Sequence, residues 1–192
     1  MDSTDAVLVN TTLKGDLGAY DTLVERYQRQ VYSIAYRFVG NSEDAKDLTQ
    51  EAFLRGFTRL NTFRQDASFR SWICRITSNL CIDRIRSRKG GDAFSLEQEL
   101  ENGWEPIACR DQMPEQQAIR NVVEKSVQDA VMSLPQQYRA VVVLRHLQDW
   151  SIAEIAEKLQ LPEGTVKTHL FRARAILHKR LAPELGIEPY GK

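Results

Sequence analysis

Apolar residues recur every three or four positions along most of this 192-residue chain, and this spacing constrains the fold more than any other feature. The longest such stripe runs from Tyr20 to Phe38 and precedes Gly40-Asn41, a pair typical of a helix end. Alternation of apolar and polar residues, which indicates a strand, is not convincing over any useful length. The pattern predicts an all-α protein.

The charge distribution divides the chain into three segments. Residues 1–89 carry fourteen basic and eleven acidic side chains, and residues 118–192 carry eleven and eight. Residues 90–117 between them carry one basic and seven acidic side chains, two prolines and no apolar stripe longer than a turn or two. Because this composition is typical of a connecting segment, we interpret 90–117 as an acidic linker between two small helical domains, 1–89 and 118–192.

Several classes of protein are excluded by composition. The longest apolar run, 140–144, is far shorter than the roughly 20 residues of a membrane span. The three cysteines, Cys74, Cys81 and Cys109, are too few for a disulfide framework and form no C-x-x-C pair. We expect Cys74 and Cys81 in or near the core. No Gly-rich phosphate motif or catalytic constellation is present. We expect a cytoplasmic protein that is not an enzyme, has no membrane insertion and needs no metal or cofactor.

Residues 151–174 give the most specific pattern. Ser151-Ile-Ala-Glu154 is a capping box that begins a helix, residues 160–164 form a turn containing glycine, and a longer helix follows over 165–181. From residue 165 to residue 180 there are five basic and no acidic side chains. This predicts a helix-turn-helix that reads DNA, with His169 packed at the edge of the buried side and Lys167, Thr168, Phe171 and Arg172 facing outward.

A second candidate surface combines aromatic and basic residues. Trp72, Arg75, Asn79 and Arg86 share one helical stripe, which follows a loop that contains Phe63 and Phe69. From residue 64 to residue 89 there are seven basic and two acidic side chains. Aromatic rings beside cations suit unstacked single-stranded bases. Packing in the core is the alternative, which we favour for Phe69 and leave open for Trp72.

A third surface is acidic and lies on the helix that Ser42 is expected to cap. Three carboxylates and a leucine fall on the side opposite the buried stripe, namely Asp44, Asp47, Glu51 and Leu54. Such a surface is typical of a docking site for a basic helix of a partner. A plain solvated face and a divalent metal site remain alternatives.

Three segments together resemble the extracytoplasmic-function (ECF) sigma factors of bacterial RNA polymerase. They are residues 44–55, residues 69–79 and the combination of 134–139, 151–156 and 164–174. Their order and spacing are highly specific, and the resemblance covers about residues 13–181.

The resemblance implies a role for each surface. The first domain would bind polymerase and melt the −10 element, and the second would read the −35 element. Docking on the coiled coil of the β′ clamp is implied for Asp44, Asp47, Gln50, Glu51 and Leu54. Capture of a base flipped from the −10 element is implied for Phe63, Arg64, Asp66, Ser68, Trp72, Arg75, Asn79 and Arg86. Reading of the −35 element is implied for Thr165, Lys167, Thr168, Phe171, Arg172 and Arg174.

The partners implied by the resemblance are core RNA polymerase, including its β subunit, and promoter DNA. The linker would thread towards the active-site cleft. An anti-sigma protein would inhibit the chain and could tether it at the membrane. Two other functions stay open from the residues alone: a self-sufficient helix-turn-helix regulator, and a metal-dependent nuclease that uses Asp44, Asp47 and Glu51.

Overall fold

The computed structural model describes residues 4–64, 67–89 and 118–185, which form eight α-helices and no β-strand. The helices are α1 (Asp5–Leu13), α2 (Leu17–Val39), α3 (Ser42–Thr58), α4 (Phe69–Lys89), α5 (Ala118–Met132), α6 (Gln136–Val142), α7 (Ile152–Leu159) and α8 (Glu163–Leu185).

 A 3₁₀ turn at Leu60–Thr62 follows α3, and a π-helical turn at Val143–Leu147 follows α6.

The chain divides into two compact units, Met1–Gly91 and Asp92–Lys192. The first unit contains α1 to α4 and the second contains α5 to α8. The all-helical fold class with two domains is therefore confirmed. The predicted linker, residues 90–117, lies outside the described residues, so its boundaries stay a prediction.

Helix α2 is the centre of the first unit and contacts α1, α3 and α4. Its predicted stripe faces inward, because Leu23, Val31 and Ala35 are fully buried and Phe38 is nearly so. The helix ends at Gly40, which adopts the left-handed conformation (φ 79°) and donates its N–H to the carbonyl of Tyr36 at 2.8 Å. Burial of these apolar side chains is the main stabilising term for the unit.

Helix α3 is capped by Asn41. The side-chain oxygen of Asn41 accepts a hydrogen bond from the N–H of Asp44 at 2.8 Å, and Ser42 is the first helical residue. Because α2 ends at Gly40, Asn41 is the residue left in the extended conformation that an N-cap adopts. The expectation that Ser42 caps this helix is wrong by one residue.

Helix α3 lies very close to its neighbours at Gly56. A β-carbon built at this position would lie 2.9 Å from both the Tyr20 hydroxyl oxygen and Cδ1 of Ile73. The Tyr20 hydroxyl cannot move freely, since it donates a hydrogen bond of 2.7 Å to the carbonyl of Phe53. The spacing of the helices around Gly56 therefore depends on the absence of a side chain.

The second unit packs α5, α6 and α7 against α8. Its capping box is confirmed: the Ser151 hydroxyl accepts from the N–H of Glu154 at 3.2 Å, and the Glu154 carboxylate accepts from the N–H of Ser151 at 2.9 Å. Helices α7 and α8 form the predicted helix-turn-helix, with a buried inner side that includes Ile155, Leu159, Val166, Leu170 and Ala173.

The turn between α7 and α8 differs in detail from the prediction. Gln160 adopts the left-handed conformation (φ 56°), and the carbonyl of Pro162 accepts hydrogen bonds from the N–H groups of Thr165 and Val166. Helix α8 therefore begins at Glu163, two residues before the expected start. Gly164 lies in its first turn, where an added β-carbon would meet no atom within 4 Å.

Not every apolar residue of the second unit is buried. Val127 on α5 is 40% exposed, and Leu147 is 45% exposed. Leu147 ends the π-helical turn, whose wider winding breaks the projection of 3.6 residues per turn.

Candidate functional site

The docking face is the exposed side of α3 formed by Asp47, Gln50, Glu51 and Leu54. Asp47 and Gln50 are exposed, Glu51 is half-buried, and Leu54 is 67% exposed. The Glu51 carboxylate accepts a hydrogen bond of 2.6 Å from the guanidinium of Arg55, one turn later. The face thus combines carboxylates, one paired cation and an exposed apolar side chain, as a surface for a basic amphipathic helix requires.

Phe57 extends the docking face and was missed in the sequence. It is 42% exposed and packs against Tyr20, with ring centroids 5.1 Å apart. The available signal was its position three residues after Leu54, which places the two on one side of the helix.

Asp44 does not belong to the docking face. The residue is only 8% exposed, and its carboxylate accepts two hydrogen bonds of 2.6 Å from Arg88 and one of 3.4 Å from Arg84. The Arg88 guanidinium and the Asn41 amide hold the pKa of Asp44 below its usual range. The expectation that Asp44 is exposed beside Asp47 is wrong, because its charge joins the start of α3 to the end of α4.

These ion pairs also decide against the metal site that the three carboxylates suggested. Both carboxylate oxygens of Asp44 already accept hydrogen bonds from Arg88, and Glu51 is paired with Arg55. In the part of the chain that the structure describes, no group of three His, Cys, Asp or Glu side chains is arranged to hold a metal ion.

The aromatic platform is the cluster of Phe63, Phe69 and Trp72 at the start of α4. The ring centroids of Phe63 and Trp72 are 5.3 Å apart, those of Phe69 and Trp72 are 5.6 Å apart, and those of Phe63 and Phe69 are 6.0 Å apart. Phe69 is 1% exposed, which confirms it as a core residue, whereas Phe63 and Trp72 are half-buried. Trp72 is held by its neighbours while part of it remains accessible for stacking.

The other residues predicted to bind the −10 element lie around or beyond this platform. Arg64 and Arg75 are exposed, and Asn79 is half-buried. The Ser68 hydroxyl accepts a hydrogen bond of 3.1 Å from the N–H of Ser71, so it caps the start of α4. Asp66 lies outside the described residues.

Arg86 lies far from the platform along α4. It lies fourteen residues after Trp72 on a continuous helix, about 21 Å along its axis at 1.5 Å per residue. Arg86 and Trp72 therefore lie too far apart to contact the same base.

The recognition face is the outward side of α8 formed by Thr165, Lys167, Thr168, Phe171, Arg172 and Arg174. Phe171 is 73% exposed, both arginines are exposed, and the two threonines are half-buried. Lys167 is exposed with its Nζ 3.7 Å from the carboxylate of Glu163, and the Thr168 hydroxyl donates to the carbonyl of Gly164 at 2.9 Å. The face presents cations and an aromatic ring on a rigid helix, which suits a major groove.

The inner side of α8 is joined to α6 through His169. This residue is fully buried, and its ring packs edge-on against Tyr138 with centroids 5.3 Å apart. Burial and the nearby Arg172 lower the pKa of His169, which favours the neutral ring. The prediction that His169 is a packed residue is confirmed, and Tyr138 also accepts a hydrogen bond of 3.4 Å from Arg172.

The described cysteines are core residues, as the sequence suggested. Cys74 is 3% exposed and Cys81 is fully buried. Burial raises the pKa of the Cys74 thiol to about 11 and raises the pKa of Cys81 as well. Such thiols are poor nucleophiles at neutral pH. Cys109 lies outside the described residues.

Comparison with protein families defines the class of this chain. Residues 23–90 match sigma-70 region 2, and residues 124–177 match sigma-70 region 4. The first match contains the docking face and the aromatic platform, and the second contains the recognition face.

Individual relatives narrow the class. The chain is 35% identical over 171 residues to the ECF RNA polymerase sigma factor SigW of Bacillus subtilis, covering 88% of this chain and 91% of that relative. It is 38% identical over 182 residues to the ECF RNA polymerase sigma factor SigM of Mycobacterium tuberculosis, covering 95% and 85%. The chain therefore belongs to the ECF sigma factors of RNA polymerase, which are transcription initiation factors.

A solved structure shares this fold. The sigma factor RpoE of Bartonella quintana, in complex with the anti-sigma factor NepR, matches at 16% identity with a TM-score of 0.54, covering 84% of this chain and 96% of that chain. Within the described ranges, no helix is long and apolar enough to cross a membrane. Family membership decides against both the self-sufficient regulator and the nuclease.

Proposed function

We propose that this sigma factor joins core RNA polymerase and directs initiation by engaging the −10 and −35 elements of a promoter together. The observation that carries the proposal is the presence, in one chain, of a base-stacking platform and a basic helix-turn-helix face. A good base contact contributes only about 1–3 kcal/mol, so each surface alone would bind free DNA weakly. Tethering both surfaces to polymerase raises their effective concentration at the promoter.

The docking face is the proposed contact with the coiled coil of the polymerase β′ clamp. Asp47 and Glu51 supply negative charge for the basic side of that helix pair, and the exposed Leu54 supplies an apolar anchor. Gln50 is exposed on the same side of the helix, about one turn before Leu54. Asp44 has no part in this contact, because Arg88 and Arg84 already occupy its carboxylate.

The aromatic platform is the proposed site for a base flipped from the −10 element. Flipping a base costs a few kcal/mol, which stacking on Trp72 and hydrogen bonds from Asn79 would offset. Arg64 and Ser68 lie on the loop side of this site, and Arg75 lies one turn after Trp72. Asp66, which is outside the described residues, is proposed to act with them. Arg86 is proposed to contact the DNA backbone further along the same strand.

The recognition face is the proposed reader of the −35 element. Arg172 and Lys167 suit guanine edges or phosphates, Phe171 suits a thymine methyl group, and Thr168 suits either bases or backbone. Thr165 and Arg174 flank this set. The segment 90–117 is proposed to thread towards the active-site cleft, with further contacts to the β subunit.

An anti-sigma protein is the proposed inhibitor of this chain. The complex of the related fold with NepR supports this proposal. Initiation by these contacts needs no reaction at this chain, so we propose no catalytic residue and no cofactor. We propose that it acts in the cytoplasm, because its proposed partners, polymerase and promoter DNA, are found there.

Transcription with purified core polymerase tests the proposal. We expect specific transcripts whose mapped 5′ ends share two upstream elements, and a stable complex with the core enzyme. The variant Asp47→Asn, Leu54→Ala should bind core at least about tenfold more weakly. Leu17→Ala is the matched control, because Leu17 is 62% exposed on α2 and outside the docking face. Failure to form any complex with core would refute the proposal.

A further inference from the structure

Helix α1 precedes the part of the chain that matches sigma-70 region 2, yet it is bonded to the support of the aromatic platform. The Asp5 carboxylate, in the first turn of α1, accepts hydrogen bonds from the Arg26 guanidinium and the Tyr27 hydroxyl, both on α2. The ring of Tyr27 packs against Phe69, with centroids 5.6 Å apart. Direct contacts therefore run from α1 to the first residue of α4.

Phe69 is the central ring of the platform. It is 1% exposed and contacts the rings of Tyr27, Phe63 and Trp72. In a close-packed cluster, the position of each ring is set by its neighbours. A displacement of Tyr27 would therefore change the position of Phe69 and, through it, the accessible part of Trp72.

The hydroxyl of Tyr27 is what ties this ring to α1. A bond from a phenol to a carboxylate is charge-assisted and stronger than one between neutral groups. Burial and the Asp5 carboxylate raise the pKa of Tyr27 to about 12, so the hydroxyl remains a donor at neutral pH. Without this bond, the Tyr27 ring would be held by packing alone.

We propose that Asp5 and Tyr27 are positioning residues for base capture. Their hydrogen bond fixes Tyr27 against Phe69 and so holds Phe63 and Trp72 ready to stack on a flipped −10 base. Neither residue needs to touch DNA. The inference rests on the proposed role of the aromatic platform, and it assigns to α1 a part in promoter opening rather than in docking.

Base capture by the holoenzyme tests the inference. The probe is 2-aminopurine placed at each position of the −10 non-template strand, whose fluorescence reports unstacking and stacking. Tyr27→Phe keeps the ring and removes the hydroxyl, and Asp5→Ala removes the acceptor. A platform that must be ordered as the base binds should capture it about threefold to tenfold more weakly. Binding to core and preference at the −35 element should not change.

Because both substitutions remove the same bond, the double variant should be no weaker than either single variant. Arg26→Gln is the matched control, since it removes the ion pair with Asp5 but leaves the bond from Tyr27. Thermal unfolding of each variant separates a loss of stability from a loss of capture. Equal losses of capture in Arg26→Gln and Tyr27→Phe would mean that α1 acts through stability alone, which overturns the inference.

Trp72→Ala distinguishes failure of this inference from failure of the proposed function. If Trp72→Ala captures the base normally, the platform is not the site and both fail. If Trp72→Ala loses capture while Tyr27→Phe and Asp5→Ala retain it, only the inference is overturned. Loss of capture in all three variants, with Arg26→Gln unaffected, supports it.

Discussion

The aromatic platform and the recognition face use aromatic side chains in opposite ways. Phe63 and Trp72 are half-buried and packed on the buried Phe69, whereas Phe171 is 73% exposed. Arg172, beside Phe171, is also exposed. The first surface is part of the core of its unit, and the second projects from a helix whose inner side alone is buried.

This difference follows from the two forms of DNA that the surfaces are proposed to bind. A flipped base has lost its stacking partners, so a rigid ring held in place by packing replaces them at low entropic cost. A major groove already presents ordered base edges, so side chains need reach and charge rather than burial. Substitutions at the platform should therefore change both DNA binding and stability. Substitutions at the recognition face should change DNA binding alone.

The largest effect is expected for Trp72→Ala. Loss of stacking, about 1–3 kcal/mol per base, together with a disturbed platform should slow promoter opening on the order of 100-fold. Loss of its contacts with Phe63 and Phe69 should also lower the unfolding free energy by roughly 1–3 kcal/mol. Permanganate reactivity of the melted strand and thermal unfolding measure the two effects. For Trp72→Phe, the milder control, both the rate of promoter opening and the unfolding free energy should lie between those of Trp72→Ala and those of the native chain.

Arg172→Ala should give the next largest effect, confined to DNA reading. Discrimination at one base pair of the −35 element should fall by about 5-fold to 150-fold, which corresponds to 1–3 kcal/mol. The unfolding free energy should change by no more than about 0.5 kcal/mol, because the side chain is exposed and its hydrogen bond to Tyr138 is long, at 3.4 Å. Transcription from a promoter library provides the measurement, with the exposed Lys125→Ala on α5 as the control. A large loss of stability would remove the distinction between the two surfaces.

Asp44→Ala extends the comparison to the charges of the first unit. Removing the partner of Arg88 should lower the unfolding free energy by about 1–3 kcal/mol, while affinity for core polymerase stays unchanged. Affinity for core polymerase can be measured by fluorescence anisotropy. A fall in affinity as large as the one expected for the variant Asp47→Asn, Leu54→Ala would contradict this assignment.

The pH dependence of this variant has a defined sign. Since the pKa of Asp44 is lower in the folded chain than in the unfolded chain, its stabilising effect is present above the unfolded value of about 3.9. The effect is lost as the pH falls through the lower folded value. Acid unfolding curves of Asp44→Ala and the native chain should therefore converge at low pH, and curves that remain parallel would show that the ion pairs are not the cause.

The smallest effect is expected at Lys167. Its side chain is 61% exposed and its ammonium group already lies near Glu163, so Lys167→Ala should weaken −35 binding only a few-fold. The slope of affinity against salt should fall by about one counterion. Glu163→Gln should act in the opposite direction, since it removes the competing carboxylate. An effect of Lys167→Ala as large as that of Arg172→Ala would show that this pairing does not restrain Lys167.

Local signals allowed most of the fold to be predicted. The apolar stripe of α2, the glycine at residue 40 and the capping box of α7 each act within a few residues of chain, so the sequence displays them directly. The errors at Ser42 and Thr165 are shifts of one or two residues at helix ends. Several neighbouring residues can cap a helix, and the conformation of the preceding turn selects among them.

Contacts between distant residues could not be predicted in the same way. Asp44 and Arg88 are 44 positions apart, and Asp5 and Tyr27 are 22 apart on different helices. Helical projection shows which side of a helix a residue occupies, but it does not show which charge on another helix that side meets. For this reason the sequence predicts Asp44 on an exposed side although its carboxylate is buried and paired within the chain, and it shows Tyr27 only as part of an apolar stripe.

Gly56 sets a condition for anyone who builds chimaeric sigma factors. Transplanting the outer residues of α3 from a donor chain is compatible with this scaffold, because Gln50 and Leu54 are exposed. Transplanting the whole helix is not, unless the donor also has glycine at the equivalent place, since a methyl group there would lie 2.9 Å from two atoms of the host. The residues proposed to contact polymerase and the glycine that limits compatibility with the scaffold therefore lie on opposite sides of the same seventeen-residue helix.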